Sequence, residues 1–105
     1  MSPPVRFRPE AAAELVEAVD WYEARGRGLG AEFLRALDAA ISGIQRHPLG
    51  YPSVFGNCRR ALLRRFPYSV IYVVSDQEIL IVACIHGRRD PALWQERVQR
   101  LGQRE

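Results

Sequence analysis

Apolar residues recur at helical spacing through much of the first half of the chain. The segment Pro9–Ala24 carries apolar residues three and four positions apart and acidic residues on the opposite face, which predicts an amphipathic helix. Leu29–Gln45 repeats this pattern. The glycine-rich link Gly26–Gly28 between them is short, so the two helices are predicted to form an antiparallel hairpin. Each helix has one apolar face, so the hairpin is expected to cover a sheet.

Shorter apolar segments have the length and composition of strands. Val5–Arg8 alternates apolar and polar residues, and Arg59–Phe66 and Ser69–Ser75 are separated by Pro67, which ends a strand or confines it to an edge. Ile79–His86 is apolar almost throughout, which is typical of a central strand buried on both faces. The short connections between the last three segments predict antiparallel pairing.

Two further segments complete the predicted fold. His47–Asn57 is rich in proline and glycine and is predicted to be a loop. Asp90 is a plausible cap for a closing helix over Pro91–Leu101, in which Trp94 is expected to pack back on the sheet. We therefore predict a single α+β domain over residues 1–105 with the order β-α-α-β-β-β-α. A helical hairpin packs on a small twisted antiparallel sheet, and a short C-terminal helix ends the fold.

All fifteen cationic residues are arginines, and they are concentrated in the sheet half of the chain. Residues 1–47 hold six arginines against seven acids, whereas residues 48–105 hold nine against five. Because the arginine fork binds carboxylates and phosphates through paired hydrogen bonds, this half predicts a surface for an acidic or polyanionic partner. The alternative is that some arginines pair with helix acids such as Glu17 or Glu23. Six arginines flank the strands: Arg59, Arg60, Arg64, Arg65, Arg88 and Arg89.

Several classes of protein are disfavoured by composition. Two cysteines and two distant histidines do not match a metal-binding pattern, and we expect neither a metal nor a cofactor. No apolar run approaches the roughly 20 residues that span a bilayer, and the N-terminus has no apolar signal region, so we expect a cytosolic protein without a membrane partner. No predicted helix carries a basic stripe, so direct nucleic-acid binding by the chain alone is not expected.

The order of these motifs resembles the RelE/ParE superfamily of type II toxins. The residues that carry the resemblance are Arg60, Phe66-Pro67-Tyr68, Ile71-Tyr72 and His86-Gly87-Arg88-Arg89-Asp90-Pro91 with Trp94. The resemblance covers about residues 5–97. It implies a small cytosolic bacterial toxin that is neutralised by a cognate antitoxin, as in plasmid stabilisation systems, and that forms a hetero-oligomer with it.

The resemblance leaves two activities open. ParE-like members arrest growth by poisoning DNA gyrase, and RelE-like members are ribosome-dependent mRNA endonucleases. Cleavage needs a base, an acid and cations, and the chain offers His86 with Arg60 and Arg65 for these roles. A last-strand histidine is also commonly a hydrogen-bonded structural residue, and no lysine is present. We therefore assign the chain to the ParE-like branch, with no catalytic residue.

In a binding toxin, the six arginines are expected to contact the target or the antitoxin. Trp21 is a further candidate. It is adjacent to Tyr22 on one helix, so both rings cannot face the core. An exposed aromatic residue there would suit a partner contact.

Overall fold

The computed structural model describes residues 3–103 and has an α+β fold. Its elements are β1 (Val5–Phe7), α1 (Pro9–Arg25), α2 (Leu29–Arg46), β2 (Ser53–Phe55), β3 (Cys58–Leu62), β4 (Tyr68–Val74), β5 (Ile79–His86) and α3 (Ala92–Gln103). The predicted fold class is confirmed, with one strand more than expected. Within the described range, none of the helices is both long and apolar enough to span a bilayer.

The five strands form one sheet in the order β1-β5-β4-β3-β2. The pairs β5–β4 and β4–β3 are antiparallel, as predicted. The pair β3–β2 is also antiparallel and was not predicted. β1 departs from the prediction because it lies parallel to β5, with Val5 opposite Ile79 and Phe7 opposite Ile81. Parallel pairing needs a long crossover, and the helical hairpin with the strands that follow it provides one.

The extra strand, β2, lies within the predicted loop His47–Asn57. Ser53 pairs with Arg59 and Phe55 with Cys58, and Gly56 turns the chain between the two strands with a φ of 57°. β2 is only three residues long and is flanked by turn formers, so the strand left no periodic signal in the sequence.

The predicted strand Arg59–Phe66 is too long, because β3 ends at Leu62. The backbone N–H of Leu63 donates to the Tyr68 carbonyl at 3.0 Å and closes a turn. Pro67, which lacks a backbone N–H, falls inside this turn rather than in a strand.

The α1–α2 hairpin covers one face of the sheet and forms the main core with it. Four aromatic rings meet at the end of this core, with centroids 4.8 to 6.0 Å apart: Tyr22, Phe33, Phe66 and Tyr68. The Glu23 carboxylate closes the hairpin because it accepts hydrogen bonds from the Gly28 and Gly30 N–H groups at the start of α2. It thereby satisfies N–H groups that have no partner inside the helix.

The other face of the sheet is covered by α3. Trp94 packs there against Phe55, with ring centroids 5.8 Å apart, and joins a cluster that includes Ile71 and Ile85. The Asp90 carboxylate accepts a hydrogen bond from the Ala92 N–H at 3.0 Å. The capping role predicted for Asp90 and the inward packing predicted for Trp94 are both confirmed.

Candidate interaction surface

Two arginine pairs lie side by side at one end of the sheet. Arg64 and Arg65 are in the turn after β3, and Arg88 and Arg89 follow β5. The Gly87 N–H donates to the Pro67 carbonyl at 2.7 Å, which joins the two segments. All four side chains are exposed. We call this group of four the arginine edge.

The arginine edge has no acidic counterpart in the described part of the chain. The ion pairs within residues 3–103 are Arg6–Glu78, Arg8–Glu10 and Arg97–Glu14. Glu23 does not form an ion pair with these arginines. Its carboxylate instead accepts hydrogen bonds from the N–H groups at the start of α2. The edge therefore presents four guanidinium groups to solvent.

Arg65 adopts a backbone conformation that is uncommon for residues other than glycine. Its φ is 70°, in the left-handed region. The surroundings impose this conformation, since Phe66 is packed among the core aromatic rings and Tyr68 binds Leu63 through its carbonyl. The turn thus holds an exposed arginine at an energetic cost to the fold.

We predict that Arg65→Gly stabilises the chain. Glycine adopts positive φ without strain, and a left-handed residue with a side chain costs about 1 kcal/mol. The free energy of unfolding is expected to rise by about 0.5 to 1 kcal/mol in urea titrations. Arg64→Gly removes the same charge without relieving a positive φ, so it should leave stability unchanged or lower it. A lower stability of Arg65→Gly than of Arg64→Gly would contradict the prediction.

The remaining arginines of the predicted surface, Arg59 and Arg60, have different surroundings. The Arg59 guanidinium is half-buried and donates to the carbonyls of Leu49 and Tyr51. It therefore anchors the loop before β2. Arg60 is exposed and lines a small cleft on the α3 face of the sheet. Of the two, Arg60 is the one placed to meet a partner.

His86 lies at the end of β5 and lines the same small cleft. The cleft, of about 80 Å³, also contains Arg60, Ser69 and Arg89. The His86 Nδ1 atom accepts a hydrogen bond from the Arg88 N–H at 3.0 Å, and the ring packs edge-on against Tyr68. The structure thus brings His86 and Arg60 together, whereas Arg65 is not among the residues that line the cleft.

Trp21 is half-exposed on α1, whereas Tyr22 points into the aromatic core. The Arg25 guanidinium lies 3.4 Å from the centroid of the Trp21 ring, a cation–π arrangement. The prediction that one of the two adjacent rings is exposed is confirmed. Trp21 lies on the rim of a second and larger cleft, between α1 and β5.

An ion pair that the sequence analysis missed lies beside this larger cleft. Glu14 on α1 and Arg97 on α3 are joined by two hydrogen bonds of 3.0 and 2.7 Å. One signal was present in the sequence, because Glu14 falls between Ala11 and Ala18 on the apolar face of its helix. A carboxylate at such a position needs a partner.

Solved structures with a similar fold include two bacterial proteins. The chromosomal ParDE toxin–antitoxin system from P. aeruginosa contains a chain with 22% identity and a TM-score of 0.70, covering 81% of this chain and 96% of that chain. An arginine-to-alanine double mutant of the E. coli toxin RelE in the free state gives 16% identity and a TM-score of 0.66, covering 95% and 98% respectively. At these identities the likeness shows the shared fold. No curated protein matches the sequence.

A family model described as the ParE toxin of the type II toxin–antitoxin system parDE matches residues 5–91. The match includes α1, α2, all five strands and the whole arginine edge. The sequence resemblance and the fold agree with it. The chain therefore belongs to the ParE toxin family of type II toxin–antitoxin systems.

Proposed function

We propose that this chain is a growth-arresting toxin that poisons DNA gyrase and is held inactive by tight binding of a cognate antitoxin. The observation that carries the proposal is the arginine edge, which stands without acidic partners in residues 3–103. Guanidinium groups form strong paired hydrogen bonds with carboxylates and phosphates. A surface of this kind suits an acidic partner protein, and the proposed setting is the cytosol.

The surroundings of His86 favour binding over cleavage. Cutting RNA requires one group to take a proton and another to give one. The His86 Nδ1 lone pair is engaged by the Arg88 N–H, so the proton of the neutral ring lies on Nε2. The neutral ring in this state can donate a hydrogen bond through Nε2–H, but its one lone pair is already engaged by Arg88 and is not free to take a proton.

The alternative function is that of a RelE-like ribosome-dependent mRNA endonuclease. One observation favours it, since Arg60, Arg89 and His86 line the same cleft. In this alternative, His86 would act with Arg60 and Arg89 on the message, because Arg65, the third residue expected from the sequence, does not line the cleft. Release of the His86 Nδ1 atom from Arg88 would then have to accompany binding of the message.

Supercoiling by purified gyrase tests the proposal. We expect relaxed plasmid to remain relaxed when the chain is present and to be supercoiled when it is absent. The double variant Arg64→Ala/Arg65→Ala should lose at least about tenfold in inhibitory potency, because a charged partner contact removed from an interface typically costs 1.4 kcal/mol or more. The matched control Arg27→Ala/Arg35→Ala removes the same charge from two exposed positions, Arg27 in the turn between the helices and Arg35 on α2, and should inhibit like the wild type.

One outcome would contradict the gyrase proposal. Undisturbed supercoiling, together with cleavage of ribosome-bound message, would replace the gyrase proposal with the endonuclease alternative. His86→Ala would then abolish the cleavage.

A further inference from the structure

The two turns that carry the arginine edge start from one pair of facing strand residues. Tyr68 on β4 lies opposite His86 on β5 in the sheet. The Tyr68 carbonyl accepts a hydrogen bond from the Leu63 N–H, which closes the turn with the first arginine pair. His86 begins the turn with the second pair, which ends at Arg89. The facing residues Tyr68 and His86 therefore lie at the base of both turns.

His86 supplies most of the acceptors that hold the second turn. The His86 carbonyl accepts a hydrogen bond from the Arg89 N–H at 3.0 Å, the bond that closes a β-turn. The His86 Nδ1 atom accepts another from the Arg88 N–H, also at 3.0 Å. The remaining acceptor is the Pro67 carbonyl, to which the Gly87 N–H donates at 2.7 Å. Each backbone N–H from Gly87 to Arg89 therefore has a partner.

The hydrogen bond to the His86 ring resembles one that asparagine and aspartate form in turns. In such a turn, the side-chain oxygen of one residue accepts a hydrogen bond from the backbone N–H two positions later. The His86 ring makes the same link to Arg88, with a nitrogen in place of the oxygen. The turn thus requires an acceptor atom at position 86. Asparagine has such an atom in its side chain and phenylalanine has none.

The aromatic core holds the His86 ring in place. The centroids of the His86 and Tyr68 rings are 5.4 Å apart and the rings meet at 77°, the edge-to-face arrangement that aromatic pairs prefer. Tyr68 in turn packs against Phe33, with centroids 5.1 Å apart. His86 is half-buried, whereas Arg88 and Arg89 are exposed. A continuous series of contacts therefore runs from the core through Tyr68 and His86 to the exposed arginine pair.

We propose that His86 is a positioning residue for the arginine edge. Its Nδ1 atom fixes the backbone of the second turn, so that Arg88 and Arg89 face the target beside the first arginine pair. A surface that is ordered before binding loses less conformational entropy when it binds. The imidazole acts through these two arginines and makes no contact of its own with the target. The inference rests on the proposed function, in which the arginine edge is the binding surface.

Two variants of His86 separate the acceptor atom from the ring. His86→Asn keeps an acceptor for the Arg88 N–H, whereas His86→Phe keeps an aromatic ring beside Tyr68 without an acceptor. In hydrogen exchange, the Arg88 amide should be as protected in His86→Asn as in the wild type and about fivefold less protected in His86→Phe. In the supercoiling assay, His86→Asn should inhibit gyrase within about twofold of the wild type. His86→Phe should be about fivefold weaker, the effect of one lost hydrogen bond.

A second comparison tests whether His86 acts through the arginines. Arg88→Ala/Arg89→Ala is expected to weaken inhibition about tenfold, because it removes charged partner contacts. Addition of His86→Phe to this double variant should weaken inhibition no further, since the arginines through which His86 acts are then absent. If the two losses multiplied instead, His86 would contact the target itself and the inference would be wrong.

Inhibition should follow the protection of the Arg88 amide in the wild type and in both single variants of His86. Weak inhibition by a His86→Asn variant whose Arg88 amide is protected would overturn the inference, because the imidazole itself would then be needed. Inhibition of wild-type strength by His86→Phe would also overturn it. Both of these results leave the proposed function intact. Failure of the wild type to inhibit gyrase would overturn the proposed function and the inference together.

Discussion

Replacement of Glu14 by alanine is expected to lower the free energy of unfolding by about 3 kcal/mol, the range found when one partner of a buried ion pair is removed. The side chains of Arg97 and Glu14 are only 15% and 10% exposed. The Cys84 N–H also donates to the Glu14 carboxylate, at 3.1 Å. Without Glu14, the Arg97 charge and the Cys84 N–H both lose a partner while they remain largely shielded from water. The loss should also weaken the packing of α3, since this ion pair connects α3 to α1.

Urea unfolding at pH 7 measures the effect. The matched control is Arg6→Ala, which breaks the Arg6–Glu78 pair of the same 2.7 Å length but with side chains 57% and 30% exposed. Exposed pairs contribute little, so this variant should unfold close to the wild type. Arg97→Ala should resemble Glu14→Ala, and the double variant should cost less than the sum of the two. A Glu14→Ala variant as stable as Arg6→Ala would contradict the prediction.

The elements with strong periodicity were predicted closely from the sequence. Ile79–His86 was predicted with the bounds that β5 has, because its apolar run is almost unbroken, and α1 and α2 were each predicted to within one residue at their C-terminal ends. The three-residue β2 and the early end of β3 were not predicted. Their pairing depends on turns at Gly56 and Arg65, and turn geometry is set by tertiary contacts as much as by local sequence.

The grouping of the arginines could be predicted from the sequence, but the contacts of individual side chains could not. Strand ends meet at the ends of a sheet, so the grouping of arginines could be inferred from their positions beside the strands. The strand pattern could not show that Arg59 turns back to the Leu49 and Tyr51 carbonyls, because both faces of that strand mix charged and apolar residues. Nor could it join Glu14 to Arg97, which are 83 residues apart in the chain.

The turn that carries Arg65 depends on the aromatic core beneath it. Phe66 follows Arg65 directly and packs against Phe33 and Tyr22, with ring centroids 5.2 and 4.8 Å apart. The strained backbone at Arg65 therefore persists because Phe66 is held on one side and Tyr68 on the other. The packing of the aromatic core and the position of Arg65 in the arginine edge are thus coupled, because Arg65 and Phe66 are adjacent in the chain.

Phe33→Ala tests this coupling and is expected to lower the free energy of unfolding by about 3 to 5 kcal/mol, since Phe33 is fully buried and its removal leaves a cavity among three rings. The neighbouring Leu34→Ala, at a side chain 39% exposed, should cost less than about 1 kcal/mol in the same urea titration. In native-state hydrogen exchange, the Leu63 amide that closes the turn should exchange faster in Phe33→Ala than the drop in global stability alone explains. Exchange of Leu63 that follows global unfolding in both proteins would show that the turn is held independently of the aromatic core.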